Sequence, residues 1–216
     1  MGLLSQYMCE RAQGTRHAIV IDPADQSPDV AANRALAAAN AGSRMILVGG
    51  SSDTDMTNVH ATIVSIKEAL ELVTWASTQD SDSDENPSQI PVVLFPQGAA
   101  ALSPDADGIT FMMLMNSKDP RFLIGEQVQG APFVKKSGIE PVPMGYLICE
   151  PGGKAGEVGQ ADLIGYDDHE RVAAYSMAAE FLGFRLLYLE AGSGSRNPVN
   201  PELIKTARNS CELPII

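Results

Sequence analysis

The sequence predicts an α/β protein built on a parallel sheet. Three observations carry this. Short apolar runs recur along the chain, they are apolar on both faces, and they alternate with Ala-rich or helically spaced stretches. Strands buried on both faces and alternating with helices imply a parallel sheet covered by helices. Two architectures satisfy that pattern, an open doubly wound sheet and a (β/α)8 barrel. No G-x-G-x-x-G follows the first run, which weakens the dinucleotide-binding doubly wound version. Polar or glycine-rich residues close most of the runs at their C-terminal ends, where barrel active sites are built. The barrel is therefore favoured.

The first strand is Ala18-Ile19-Val20-Ile21, closed by Asp22-Pro23. Ser27-Pro28 then opens an Ala-rich helix from Asp29 to Ala41, with proline where the first helical turn tolerates it. Met45 to Val48 is the second strand, closed by Gly49-Gly50-Ser51-Ser52. From Asn58 to Ala76 the apolar residues Val59, Ile63, Ile66, Leu70 and Val73 keep helical spacing. Residues 77–89, STQDSDSDENPSQ, are polar and acidic and read as a surface loop. The alternation resumes at once, so no domain boundary is placed there, and residues 1–216 are read as a single domain.

Pro91 to Pro96 is the third strand, and Gly108 to Met115 the fourth, closed by Asn116-Ser117. Met144 to Cys149 is the fifth, followed by Glu150-Pro151-Gly152-Gly153. A helix from His169 to Leu182 leads to the sixth strand, Phe184 to Leu189, which ends on Glu190 and the small residues Ala191, Gly192, Ser193 and Gly194. Pro201 to Asn209 is a last helix. Leu213 to Ile216 begins another strand.

The net charge of −12 and the pI near 4.6 argue against a nucleic-acid binder, whose footprint is basic. They also disfavour docking on an anionic membrane. Cys9, Cys149 and Cys211 show no C-x-x-C spacing, so neither a disulfide framework nor a zinc site is indicated. Cys149 reads as a buried thiol. No apolar run approaches the ~20 residues that span a bilayer, and no secretory signal stands at the N-terminus. A cytoplasmic location is expected.

The strand ends collect Asp22, Gly49-Gly50-Ser51, Asn116-Ser117, Tyr146 with Glu150, and Tyr188-Glu190 with Gly192-Ser193-Gly194. The set holds carboxylates, hydroxyls and flexible backbone, with almost no cations. A phosphate there must be held by the N–H groups of glycine loops. A hard divalent cation can do the rest, since Mg2+ takes one or two protein oxygens plus substrate phosphate. Asp22 and Ser51 fit that role. Taken alone, Asp22-Pro23 is also an ordinary turn starter.

The segments HAIVIDP, LVGGSS, VVLFP, MMLMNS, VPMGYLICEPGG and YLEAGSGS stand here in the order and spacing of the geranylgeranylglyceryl phosphate synthases. From about His17 to Ile216 the chain resembles that family. The resemblance implies a (β/α)8 barrel that joins geranylgeranyl diphosphate to sn-glycerol 1-phosphate, making the ether of archaeal membrane lipids and releasing pyrophosphate. It implies Mg2+ held by Asp22 and Ser51, and glycerol phosphate lying on Tyr188, Leu189, Glu190, Ala191, Gly192, Ser193 and Gly194. Glu190 is then expected to accept the glycerol proton, with Tyr188 and Tyr146 orienting the glycerol.

Val20, where bacterial relatives carry Lys, points to the archaeal type. The family pattern continues beyond the residue matched by Ile216. The expectation is therefore a truncated sequence, a barrel lacking its last one to two βα units, whose activity as a 216-residue piece stays open. Two other readings stand beside this one. A phosphate-binding barrel isomerase or aldolase would need a His or Lys at a strand end, and His17, His60 and His169 close none; the Lys135-Lys136 pair reads as a loop. A non-catalytic truncated relative is the third. Peripheral membrane contact through the product, a homo-oligomer, the prenyl chain length and the groove lining stay open.

Overall fold

The structure, a computed structural model, describes Leu4 and residues 14–50, 53–80 and 90–216. In chain order the elements are β1 (Ala18–Ile21), α1 (Pro28–Asn40), β2 (Met45–Val48), α2 (Met56–Asp80), β3 (Val92–Leu94), β4 (Gly108–Leu114), a π-helical turn (Arg121–Gly125), α3 (Glu126–Ser137), β5 (Glu140–Ile148), α4 (Gly153–Val158), α5 (His169–Phe181), β6 (Leu186–Glu190) and α6 (Pro201–Ser210). The strands follow in sequence order across a six-stranded sheet. β1 with β2, β2 with β3, β3 with β4, and β5 with β6 pair in parallel. The predicted parallel α/β fold is present.

The chain divides into two compact units. One is Gln13–Ile109 with Val134–Glu140, and the other contains Thr110–Phe133 and Pro141–Ile216. In the first unit, Met45 to Val48 and Val92 to Leu94 are fully buried, as strands covered on both faces must be. Ser27 caps α1 by accepting from the Val30 N–H at 3.4 Å, with Pro28 in the first turn. Lys67 on α2 reaches Asp107 Oδ1 at 2.7 Å, and Asp107 Oδ2 accepts the Val92 N–H at 2.8 Å. The helix is thereby tied to the start of β3.

In the second unit two apolar clusters form on opposite faces of β5 and β6. Leu147, Leu187 and Leu189 face Val172 and Ala179 of α5 and Leu203 and Ala207 of α6. Tyr146 and Ile148 face the other way with Leu114, and Tyr188 packs against them. This is the period-two alternation of a strand. Asn116, 2% exposed, pins the turn after β4. It donates to the Ile148 and Asp162 carbonyls at 2.9 and 3.0 Å and accepts the Ile148 N–H at 3.2 Å. The residues after α6 begin to pair with β6: Leu187 bridges Ile215, and the Ile216 N–H donates to the Leu187 carbonyl at 2.9 Å.

Several boundaries differ from the sequence reading. α2 runs to Asp80, so residues 77–80 of the predicted acidic loop are helical. Ser, Thr and Gln lower helix stability by only tenths of a kcal/mol each, so a long amphipathic helix carries them. Residues 81–89 lie outside the described residues. α3 was not predicted at all, because Gly130 and Pro132 interrupt its pattern. Lys135 and Lys136, expected in a loop, sit in its last turn. Cys149 is buried, and burial pushes its thiol up to about 11; Cys9 lies outside the described residues. Among the described residues no helix is long and apolar enough to cross a membrane.

Candidate active site

The second unit carries a carboxylate held by two tyrosines. Tyr146 on β5 is register partner to Tyr188 on β6, and Ile148 to Glu190. Tyr146 and Glu190 are therefore diagonal neighbours on one face, within reach of long side chains. The Tyr146 hydroxyl donates to Glu190 Oε2, and the Tyr188 hydroxyl also bonds the carboxylate. The two rings lie 5.1 Å apart at 38°, a favourable tilted aromatic pair.

Burial pushes the Glu190 carboxyl above the usual carboxylate range, while the bonds from Tyr146 and Tyr188 pull it back down. Burial, and then the Glu190 charge, push both phenols up. The arrangement is that of a desolvated proton acceptor with its donors already placed.

Beside this carboxylate the two glycine segments interlock. The Gly152 N–H donates to the Ala191 carbonyl at 2.9 Å. Gly192 has φ +102°, and a Cβ there would overlap the Gly152 carbonyl oxygen and the Gly153 nitrogen. Gly153, at φ +49°, would place a Cβ 2.7 Å from the Ser193 carbonyl oxygen. Only glycine permits both the left-handed backbone and the close approach. A cavity of about 650 Å3 opens here, lined by Gly152, Gly153, Leu163, Ser193, Gly194 and Arg196 among others.

Not every predicted residue turns its side chain to this site. Leu189 and Ala191 point into the apolar cluster under α5 and α6, because they alternate with Tyr188 and Glu190; only their backbone is available to a ligand. Tyr146 pairs with Glu190 and not, as its grouping by sequence suggested, with Glu150. The Glu150 carboxylate instead accepts the Tyr166 N–H at 3.2 Å.

In the first unit Asp22 follows β1 directly. Its Oδ1 accepts the Ala24 N–H at 2.9 Å, and its carboxylate occupies the space that a Cβ on Gly50 would fill. Ser51, the next residue, lies outside the described residues. Asp22 offers a hard oxygen donor at a strand end. Among the described residues there is no cluster of three or more His, Cys, Asp or Glu that could hold a metal. A single hard oxygen donor is what Mg2+ can use when phosphate and water supply the other ligands.

A model of the PcrB family matches residues 10–216. The chain belongs to the PcrB family. Its PcrB-family relatives include the geranylgeranylglyceryl phosphate synthase of Methanococcoides burtonii, 43% identical over 197 residues, which are 91% of this chain and 72% of the relative. The synthase of Thermoplasma volcanium is 38% identical over 216 residues, 100% of this chain and 79% of the relative. The solved wild-type structure from T. volcanium superposes with a TM-score of 0.86, covering 100% of this chain and 79% of that one. A second is the (S)-3-O-geranylgeranylglyceryl phosphate synthase of Thermoplasma acidophilum in complex with sn-glycerol-1-phosphate. It gives a TM-score of 0.87 at 34% identity, over 100% of this chain and 80% of that one. The resemblance read from the motifs is thus borne out.

The PcrB-family site holds two features that the sequence reading missed. One is the Tyr146–Glu190 bond, which the alternation in MGYLI and YLE signals only once the register of β5 and β6 is known. The other is Arg196, a cation on the wall of a cavity expected to have almost none. It stands two residues past Gly194, in a loop where no pattern marks it.

None of the three histidines stands at the C-terminal end of a strand. His17 bonds Ser43 at 2.7 Å, His60 lies 3.1 Å from Ser103 and 3.2 Å from Asp105, and His169 bonds Thr206 at 2.8 Å. Nothing in these contacts favours the isomerase or aldolase reading.

Proposed function

We propose that this protein transfers the geranylgeranyl group of geranylgeranyl diphosphate to a hydroxyl of sn-glycerol 1-phosphate, forming an ether of archaeal membrane lipids. The observation that carries this reading is the half-buried Glu190 carboxylate, clasped by Tyr146 and set beside the interlocked glycine loops. It stands in a chain similar throughout to synthases, one of them solved with sn-glycerol-1-phosphate.

In the proposed reaction the bond between the allylic carbon and the diphosphate oxygen breaks, and its electron pair leaves with pyrophosphate. The glycerol oxygen bonds to that carbon, and its proton passes to Glu190. An ionised carboxylate has about four lone-pair sites, so two tyrosine bonds leave room for this proton. The negative charge of Glu190 also favours the developing allylic cation. Arg196 and the N–H groups of the Ser193-Gly194 loop supply positive charge for the glycerol phosphate. Tyr188 orients the glycerol.

The metal proposed is Mg2+, held by Asp22 and Ser51. Bound there, it would neutralise charge on the departing diphosphate. Asp22→Asn is expected to raise the Mg2+ concentration for half-maximal rate by about tenfold or more, since losing an outer-shell partner alone weakens binding about 10–100-fold. A titration with MgCl2 checks this, and an unchanged midpoint would remove Asp22 from the metal site.

Calorimetry tests the substrate assignment. The full-length protein should bind sn-glycerol 1-phosphate at least about tenfold more tightly than its 3-phosphate enantiomer, the difference of about one hydrogen bond. Equal binding of the two, or none of either, would contradict the reading.

A further inference from the structure

Tyr146 stands apart from the other site residues. It lies inside β5, not at a strand end, and is only 8% exposed. Its ring is packed by Leu114, Ile148 and Tyr188, with Phe122, Ala155 and Leu163 around that cluster. Its hydroxyl reaches Glu190 across the diagonal of the β5–β6 pair. The one proton of its hydroxyl is donated to the carboxylate.

We propose that Tyr146 is a positioning residue: it does not hold the glycerol but fixes the Glu190 carboxylate, by donating to Oε2, in the orientation and charge state that accepts the substrate proton. This rests on the proton-acceptor role given to Glu190 above.

Two effects compete at Glu190. Burial favours the neutral acid, which cannot take a proton. A donor fixed by packing favours the anion and costs no reorganisation when the reaction begins. Free rotation of a glutamate would otherwise scatter its oxygens over several rotamers. Tyr146 opposes both losses at once. Among the described residues, the titratable groups acting on Glu190 are the two tyrosines, Tyr146 from β5 and Tyr188 from β6. The residues packed around them from other elements, Leu114, Phe122, Ala155, Ala161 and Leu163, carry no charge.

The test uses the full-length protein and two readouts. The first is an infrared titration of the unliganded protein, following the C=O stretch of the protonated Glu190 carboxyl, assigned by its loss in Glu190→Gln. The second is the pH profile of ether formation. In Tyr146→Phe the infrared midpoint should move upward by about one pH unit, the typical worth of a hydrogen bond to a charged group. The acid limb of the rate profile should move with it. On that acid limb kcat should fall by about tenfold at a given pH, and KM for sn-glycerol 1-phosphate should stay within about twofold.

Site-specific 3-fluorotyrosine at position 146 keeps the ring and makes the hydroxyl a stronger donor, so the midpoint should move down. This variant carries the test if Tyr146→Phe does not fold. An infrared midpoint that stays put in a folded variant overturns the proposal, as does a raised KM with an unmoved pH profile. The infrared titration needs no turnover. A wild-type protein that forms no ether would overturn the prenyl-transfer reading alone.

Discussion

In the full-length protein, Glu190→Gln lowers the rate of ether formation by about 10²–10⁴-fold, the usual contribution of a positioned general base. Glutamine preserves the shape and can still accept from the Tyr146 hydroxyl, but it cannot take the glycerol proton. The loss falls on kcat and kcat/KM together, because the missing interaction belongs to the transition state. Single-turnover measurement across pH checks this: the wild-type rate falls on the acid side as Glu190 protonates, and the variant lacks that limb. A folded variant with near-normal turnover would sink the assignment.

The same substitution has a second consequence, in stability. Burial raises the Glu190 carboxyl in the fold. Below the ordinary carboxylate range, folded and unfolded chains both carry the proton, and burial carries no charge penalty. As pH rises through the folded value, the folded chain must ionise a half-buried group, and stability is lost. Glu190→Gln removes that penalty. It should melt higher at neutral pH, with the advantage shrinking on the acid side of the folded carboxyl's titration. A site residue that destabilises its own fold is common where function requires it.

The second large effect is on folding. Gly192→Ala drives a methyl into the Gly152 carbonyl and the Gly153 nitrogen, at a backbone φ of +102° that side chains rarely adopt. Overpacking costs about 1–3 kcal/mol, and a left-handed strain of this kind about 1–3 more. Together, about 2–6 kcal/mol is a large share of a domain's stability. The obstructing atoms are backbone and cannot rotate away. Thermal melting should show a fall of about 4–24 °C, accompanied by loss of sn-glycerol 1-phosphate binding. Gly194→Ala is the control. Its φ is +74°, but nothing lies within 4 Å of its Cβ, so it bears the backbone strain alone and should fall less. Equal losses in the two would show that the interlock contributes nothing.

The strands were legible because they are short, apolar on both faces and closed by polar residues. That signal is local. So were the caps at Ser27 and Pro28. α3 was not legible, because tertiary packing holds a helix that Gly130 and Pro132 would disfavour in isolation. The end of α2 was misread because residues 77–80 are polar by composition yet sit on a helix already nucleated upstream.

At the site, Glu190 was legible as a charge ending an apolar strand, which burial makes costly without a task. Its partner was not. Tyr146 lies 44 residues away, and only the β5–β6 register makes the two diagonal neighbours. Likewise, Leu189 and Ala191 belong to the motif by sequence, but alternation turns them into the core. A motif is contiguous in the chain, whereas a site is contiguous on one face of a sheet.

The central claim is prenyl transfer to glycerol phosphate with Glu190 taking the proton. The most direct measurement incubates the full-length protein with Mg2+, sn-glycerol 1-phosphate and radiolabelled geranylgeranyl diphosphate, and follows label into an ether stable to phosphatase and alkali. The account predicts that ether, made with one pyrophosphate released per ether and lost in Glu190→Gln. Label that stays in the diphosphate, or appears only as the free prenyl alcohol, would contradict it.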